Sequence, residues 1–217
     1  MLRSNKPSRD GKKGSMGRPR EFDIEKVLAA AGDIFWERGY EGTSTRALTE
    51  CTGLTPASIY HAFGDKRGFY LRALRYYLDQ NLRERITRLE SSLSPGRAIV
   101  AFFREIIARS LADPKHRGCM LVNTAIEVTP EDPEMQRIVA DETVIIERFF
   151  RRCVAAAQKN GEIASSEPAE DIARMLLALL VGLRVLARVR PDTKLLNGLV
   201  RPTLEMLGLS LSHGKRS

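Results

Sequence analysis

Cysteine and histidine are scarce in this chain of 217 residues, which contains three of each. The cysteines stand at positions 51, 119 and 153, an odd number without the short spacing of a zinc site. A disulfide framework, a structural metal and a bound cofactor are therefore not expected. This cysteine usage fits the reducing cytoplasm, which is the predicted location.

Long apolar runs are also missing. The longest extends from Met175 to Leu183, far short of the roughly 20 residues that span a bilayer. Residues 1–20 are rich in Lys, Arg, Gly and Ser and lack the apolar core of a signal peptide. With 43% hydrophobic and 29% charged residues, the composition predicts a soluble globular protein with no membrane partner.

Positive charge is concentrated at the N-terminus. Residues 1–20 hold seven basic side chains and one acidic, whereas residues 21–90 hold ten basic and eleven acidic. Such a segment cannot bury enough apolar surface to offset its ordering entropy. We expect a flexible basic arm over residues 1–20.

The remaining sequence predicts an all-α fold, because apolar residues recur at helical intervals and no strand-like alternation competes with them. Helix starts are marked by a polar residue followed by proline at 55–56, 94–95 and 132–133. The first predicted helix is capped by Asp23 and ends at Gly39. Eight further helices are predicted over 45–52, 56–63, 66–89, 96–111, 119–128, 134–159, 169–189 and 193–209. Pro202 is expected to kink or split the last of these.

Two short helices joined by the turn at 52–55, with a preceding helix to brace them, have the dimensions of a helix-turn-helix DNA-binding unit. At 100° per residue, Ile59, Ala62 and Phe63 face the core, while Ala57 and His61 point away from it. Surface residues of an ordinary solvated helix would show the same pattern. From the geometry alone, the two interpretations have similar weight.

If the unit binds DNA, each outward side chain has an expected role. A small residue at 57 allows close approach to base edges, and His61 can hydrogen-bond a base or a phosphate. Ser58 and Tyr60 would contact the backbone. Lys66, at the start of the following helix, and Thr45 and Arg46, at the start of the second helix, would attract phosphates.

The stretch from Gly17 to Leu74 resembles the N-terminal domain of TetR-family transcriptional regulators. The resemblance rests on the run from Gly39 to Arg46 and on the run from Thr55 to Lys66, which contains Ile-Tyr-His-x-Phe-x-x-Lys at the family's spacing. Two positions depart from the pattern: Ala62 replaces the usual tyrosine or histidine, and Ala57 replaces a common glycine. The resemblance implies operator contacts from Thr45, Arg46, Thr55, Ala57, Tyr60, His61 and Lys66.

The family likeness also implies a two-part organisation. We expect a helix-turn-helix DNA-binding domain over 21–66 and a helical domain for ligand binding and dimerisation over 67–217. Such a protein would be a homodimeric regulator, in most cases a repressor, that a small-molecule effector releases from a palindromic operator. Arg18 and Arg20 of the arm would then reach the DNA backbone or minor groove. The alternative for the arm is a solubilising tail, part of it preceding a start at Met16.

The C-terminal part offers a dimerisation helix and weaker candidates for an effector cavity. The helix over 169–189 is apolar nearly all round, so it needs a second cover, either its own chain or a second copy. Candidate effector-binding residues are chosen for apolar or occasional polar character on the central helices: Phe102, Phe103, Ile106, Cys119, Met120, Asn123, Phe149 and Cys153. Ordinary core packing is the more common explanation for any one of them.

Cys119 suggests a sharper hypothesis, because His116 and Arg117 nearby in sequence could lower the thiol pKa and make it a sensor of electrophiles or oxidants. A buried, inert cysteine is the plainer alternative.

An enzyme using Cys119 and His116 is a rival class, but no Walker A, His-Glu-x-x-His or Gly-x-Ser-x-Gly pattern occurs. A helical interaction module without DNA contact is the third possibility.

Overall fold

The computed structural model describes residues 22–211, which form ten α-helices and no strand. The predicted contacts of Arg18 and Arg20 lie outside the described residues. The helices are α1 (Ile24–Arg38), α2 (Thr45–Thr52), α3 (Pro56–Phe63), α4 (Lys66–Leu78), α5 (Glu84–Ser92), α6 (Pro95–Ala112), α7 (Met120–Glu127), α8 (Pro133–Lys159), α9 (Ala169–Val189) and α10 (Thr193–Met206). The all-α prediction is confirmed.

Side-chain caps set most of the predicted helix starts. Asp23 accepts hydrogen bonds from the backbone N–H groups of Glu25 and Lys26, and Ser44 accepts from Ala47. Asp132 and Asp192 cap α8 and α10 in the same way. Each cap satisfies an N–H that has no partner within its helix.

The predicted helix over 66–89 is not a regular α-helix throughout. Asp79–Arg83 form a π-helical turn between α4 and α5. Side chains take up backbone carbonyls around it: Asn81 Nδ2 donates to the carbonyl of Tyr77 (2.8 Å), and Arg85 Nη1 donates to that of Asn81 (2.7 Å). Such competition for carbonyls interrupts regular α-helical bonding.

Of the two effects predicted for Pro202, a kink or a split of the last helix, the split does not occur. Pro202 lies inside the uninterrupted α10, which ends at Met206 rather than at 209. Pro202 is exposed, and so is Gly198, whose carbonyl would have accepted the missing bond. Solvent can reach both groups, so the lost bond does not end the helix.

Two packed groups of helices share α4. Its first half packs on α1 and α3, with Phe69 buried against Phe35 and stacked on Phe63 at 3.9 Å between ring centroids. The C-terminal group is built around α6, α8 and α9, where Phe102, Phe103, Phe149 and Phe150 are fully buried. No helix in the described range is long and apolar enough to cross a membrane.

Candidate nucleic-acid interface and internal cavity

The α2–α3 unit has the geometry of a helix-turn-helix. α2 ends at Gly53, whose left-handed backbone (φ 69°) turns the chain, and α3 starts at Pro56. Leu48 and Ile59 are almost completely buried at 0% and 1% exposure, which fixes α2 and α3 to a common core. The turn needs a glycine because this backbone region is unfavourable for other residues.

The outward face of α3 carries the side chains that the sequence placed there. Ala57, Tyr60 and His61 are exposed, Tyr60 at 51%, and Ser58 is partly buried. Ala62 is partly buried and packs against the core, as the helical spacing indicated. A row of accessible side chains therefore follows one side of a helix that is anchored on the other.

Thr55 and Ser58 have local hydrogen-bond partners. Thr55 Oγ1 accepts from the backbone N–H of Ser58 at 3.2 Å, and the two hydroxyl oxygens lie 3.0 Å apart. Thr55 is therefore the N-cap of α3 as well as a candidate DNA contact. A DNA contact from this hydroxyl must therefore form while Oγ1 still accepts the hydrogen bond from the Ser58 N–H.

The candidate phosphate-binding cations also have partners within the chain. Arg46 forms an exposed ion pair with Glu50 at 2.8 Å, and Lys66 Nζ lies 4.4 Å from the centroid of the Tyr40 ring. Thr45 is partly buried at the start of α2. Exposed pairs of this kind are weak, so they leave Arg46 able to exchange its partner for a phosphate.

Arg72 helps to hold α3 in place and was not among the residues predicted from the sequence. Its guanidinium donates to the carbonyl of Ala62 at 3.1 Å and lies 4.9 Å from the Phe63 ring centroid. It ties the C-terminal end of α3 to α4. A cation opposite unpaired carbonyls at a helix C-terminus is the signal that could have identified it.

Several polar contacts join the α1–α3 group and the start of α4 to the C-terminal helices. Arg117 donates to Asp33 of α1 at 2.8 Å, and Tyr40 donates its backbone N–H to Glu127 at 3.0 Å. Arg67 of α4 pairs with Asp132 at 2.8 Å and also with the neighbouring Glu134. Both ends of α7 are thus connected to the helix-turn-helix side of the molecule.

A cavity of about 150 Å³ lies inside the C-terminal group. Three of the predicted effector residues, Phe102, Ile106 and Cys119, line it. Phe103, Met120, Phe149 and Cys153 are instead buried in the surrounding core, and Asn123 Nδ2 donates to the carbonyl of Arg117 at 3.0 Å. Helical spacing identified which side chains are buried, but it could not distinguish those that line the cavity from those in the filled core.

The cavity walls come from α4, the π turn, α5, α6, α7, α8 and α9. The lining residues are Tyr77, Leu78, Asn81, Leu82, Arg85, Phe102, Ile106, Cys119, Leu121, Val122, Ala125, Ile126, Thr143, Ile146, Leu177, Leu180, Val181 and Arg184.

One polar corner interrupts this apolar wall. Tyr77 Oη lies 4.0 Å from Cys119 Sγ, and Arg184 Nη1 donates to Ser110 Oγ at 3.0 Å. Burial raises the pKa of the Tyr77 hydroxyl. Burial is the largest single influence on the Cys119 thiol and opposes its ionisation, but the Arg184 cation and the backbone N–H groups of Val122 and Leu121 together lower the pKa.

The predicted cause of the Cys119 shift is therefore wrong. Arg117 pairs with Asp113 and Asp33 and stands over Trp36, and it is absent from the charges that act on the thiol. His116 makes no contribution either; its backbone is left-handed at φ 48°. The cation that acts comes from α9, about 65 positions away in sequence, where a single arginine follows a long apolar run.

A helix-turn-helix attached to a separate helical lobe defines a DNA-binding regulator as a class, and comparison with known proteins gives the family. Residues 27–73 match the model of bacterial regulatory proteins of the tetR family, and residues 95–201 match the tetracyclin repressor-like C-terminal domain. The transcriptional regulator YezE of Bacillus subtilis (strain 168) is 34% identical over 194 residues, covering 88% of this chain and 100% of its own. The repressor ComR of Escherichia coli (strain K12) is 26% identical, covering 89% and 93%.

A solved structure agrees with these relatives. A cysteine mutant of the TetR family regulator CifR, complexed with a 26-bp double-strand operator DNA, superposes with a TM-score of 0.79 at 35% identity, covering 88% of this chain and 100% of that one. The chain belongs to the TetR family of transcriptional regulators. It is a regulator and not an enzyme, so the alternative that used Cys119 and His116 for catalysis is dropped.

Proposed function

We propose that the protein is a homodimeric repressor that binds a palindromic operator through the outward face of α3 and releases it when a small molecule enters the cavity. The observation that carries the proposal is the exposed row Ala57, Tyr60 and His61 on a helix fixed from behind by Ile59 and Phe63. CifR, which shares the fold at 35% identity, is bound to operator DNA in its own structure.

Dimerisation is supported by an uncovered apolar face on α9. Met175, Val181 and Val185 are each 38% exposed and Val189 is 65% exposed. Met206 of α10, the helix that follows α9, is 80% exposed. A second copy is the simplest cover for such a face, and a two-fold arrangement would present two α3 helices to two half-sites.

The cavity and the DNA-binding face are connected through α4 and α7. α7 lines the cavity through Cys119 at its N-cap and holds the loop after α1 through Glu127 at its end. An effector that favours a different position of these helices would lower operator affinity, with a coupling free energy of about 1–3 kcal/mol.

Selection of bound fragments from random double-stranded DNA, followed by mobility-shift titration, tests the DNA-binding part. We expect an inverted repeat to be selected. The double variant Ala57→Glu/His61→Glu should lose specific binding, because two carboxylates would face phosphates and base edges. The matched control is Ala155→Glu/Ala156→Glu, which adds two carboxylates at exposed positions of α8. Retention of the selected fragment by the α3 double variant would contradict the proposal.

The oligomeric state is tested by light scattering with size-exclusion chromatography. Val185→Glu places a charge at the centre of the exposed α9 face and should yield a monomer that binds operator much more weakly. Ala140→Glu on α8, also exposed, is the control and should remain dimeric. A wild-type chain that is monomeric at micromolar concentration would overturn the dimer.

A further inference from the structure

Arg184 is a cation in an otherwise mostly apolar wall. Leu177, Leu180 and Val181 of the same helix line the cavity beside it. Its Nη1 donates to Ser110 Oγ, but among residues 22–211 no carboxylate oxygen lies within 4.0 Å of its guanidinium. The neighbouring Arg85 differs, because it pairs with Glu105 at 3.0 Å.

The groups that face the Arg184 guanidinium are two hydroxyls and a thiol, those of Ser110, Tyr77 and Cys119. A guanidinium has five N–H donors, and a charge removed from water is costly unless it is paired. Tyr77 supplies a hydroxyl oxygen but no negative charge, because burial raises the pKa of that hydroxyl and keeps it protonated. Cys119 supplies only a sulfur, which is a weak hydrogen-bond acceptor, and no Asp or Glu is among the residues that line this cavity.

The cavity volume limits what could supply a better partner. A cavity of about 150 Å³ is close to the volume that is known to hold benzene in an engineered protein core. Phe102, Ile106, Ile146 and Leu180 contribute apolar surface to the same cavity. One six-membered ring with a short charged substituent matches this combination of size and chemistry.

We propose that the cavity binds a monocyclic carboxylate, with the ring among the apolar side chains and the carboxylate on the guanidinium of Arg184. This inference rests on the proposed function of the cavity as the effector site and names the chemical class of the effector. A planar guanidinium can bind a carboxylate through two parallel hydrogen bonds, which a neutral amide does not reproduce.

The location of Arg184 gives such a ligand a route to the DNA-binding side. Arg184, Tyr77, Asn81 and Arg85 also line a second cavity of about 280 Å³, whose other wall includes Trp36 of α1 and Arg117. A carboxylate bound to Arg184 would thus be separated by this one side chain from the second cavity, where Arg117 contacts Trp36 of α1. A neutral ligand confined to the apolar side would lack this connection.

Calorimetry and thermal unfolding of the full chain with benzoate and phenylacetate, each compared with its amide, test the proposal. We expect at least one carboxylate to bind at micromolar to millimolar concentration and its amide to bind at least tenfold more weakly. Arg184→Met should weaken carboxylate binding about 10- to 100-fold, as expected for loss of a charge-assisted hydrogen-bonded pair. Arg184→Lys should retain part of the affinity.

Arg190→Met is the matched control, because Arg190 is exposed at the end of the same helix. It should bind the carboxylate as the parent does. Failure of both carboxylates to bind, equal binding of the amides, or unchanged binding by Arg184→Met would each overturn the proposal. Operator binding without ligand is measured on the same samples, so loss of DNA binding in the parent would instead count against the proposed function.

Discussion

The hydroxyl of Tyr70 in α4 lies 2.6 Å from Oγ1 of Thr124 in α7, buried between the two groups of helices. Thr124 Oγ1 also donates to the carbonyl of Met120 at 2.7 Å. Because the threonine has one hydroxyl proton, Tyr70 must be the donor in the shared bond. Burial raises the pKa of Tyr70 to about 12, so it keeps this proton at any physiological pH.

Removal of either partner should have unequal effects. Thr124→Val leaves the Tyr70 hydroxyl buried without an acceptor and should destabilise the fold by about 1–3 kcal/mol, whereas Tyr70→Phe removes the donor and should cost about 1 kcal/mol. Urea unfolding measures both. The double variant should resemble Tyr70→Phe, since the unsatisfied hydroxyl is then gone. Equal costs for the two single variants would show that the bond has the opposite direction or is absent.

The only tryptophan of the chain reports on the same boundary. The Arg117 guanidinium carbon lies 3.9 Å from the centroid of the Trp36 ring and covers one face of it. Arg117→Ala should increase quenching of Trp36 fluorescence by acrylamide. Lys115→Ala in the same loop is the control, because Lys115 pairs with Glu37 and does not contact the ring. Quenching that is the same in both variants would contradict the contact.

Local signals predicted the helices well, because caps, proline starts and glycine ends act within a few residues. Asp23, Thr55 and Gly53 each set a boundary where the sequence indicated. The outward face of α3 was equally predictable, since it follows from 100° per residue. The assignment of DNA contacts to that face stays a prediction.

Long-range arrangements could not be predicted in the same way. The pairing of Arg184 with Cys119 depends on how α9 packs against α7, and the nearest charges in sequence, His116 and Arg117, were the wrong choice. The π turn depends on the side chain of Asn81 taking a carbonyl, which apolar periodicity does not register. Arg184 directly follows the longest apolar run of the chain, and this placement is a sequence signal for the cavity that the prediction did not use.

The cap of α3 gives a prediction for the DNA-binding unit. Thr55→Ala removes the acceptor for the Ser58 N–H and should destabilise the fold by about 1 kcal/mol, while Thr55→Ser should restore most of it. Thermal unfolding measures the loss of the α3 cap, and operator titration of the same variants measures any loss of a DNA contact. If Thr55→Ser is stable but binds operator weakly, the methyl group contributes to DNA recognition. A fully stable Thr55→Ala would rule out the cap.

The basic arm, residues 1–20, is tested by deletion. Residues 21–90 are close to neutral in charge, so the arm should supply much of the counterion release on binding. The deletion should weaken binding to specific and non-specific DNA alike and reduce the slope of log affinity against log salt concentration. Replacing the seven basic residues with serine is the matched control for length, and it should behave as the deletion does. An unchanged salt slope would assign the arm a role other than DNA contact.

The thiols differ in the pH at which they ionise. Burial raises the pKa of Cys153 to about 12 and also raises that of Cys51, whereas Arg184, together with the backbone N–H groups of Val122 and Leu121, lowers that of Cys119 despite its burial. A lowered pKa means that the thiolate forms at lower pH, so the alkylation rate of Cys119 should reach half its maximum at a lower pH than that of Cys51 or Cys153. Mass spectrometry after timed iodoacetamide pulses gives the three profiles from one sample. Arg184→Met should move the Cys119 midpoint upward and leave Cys51 unchanged, and a midpoint that stays in place would remove Arg184 as the cause.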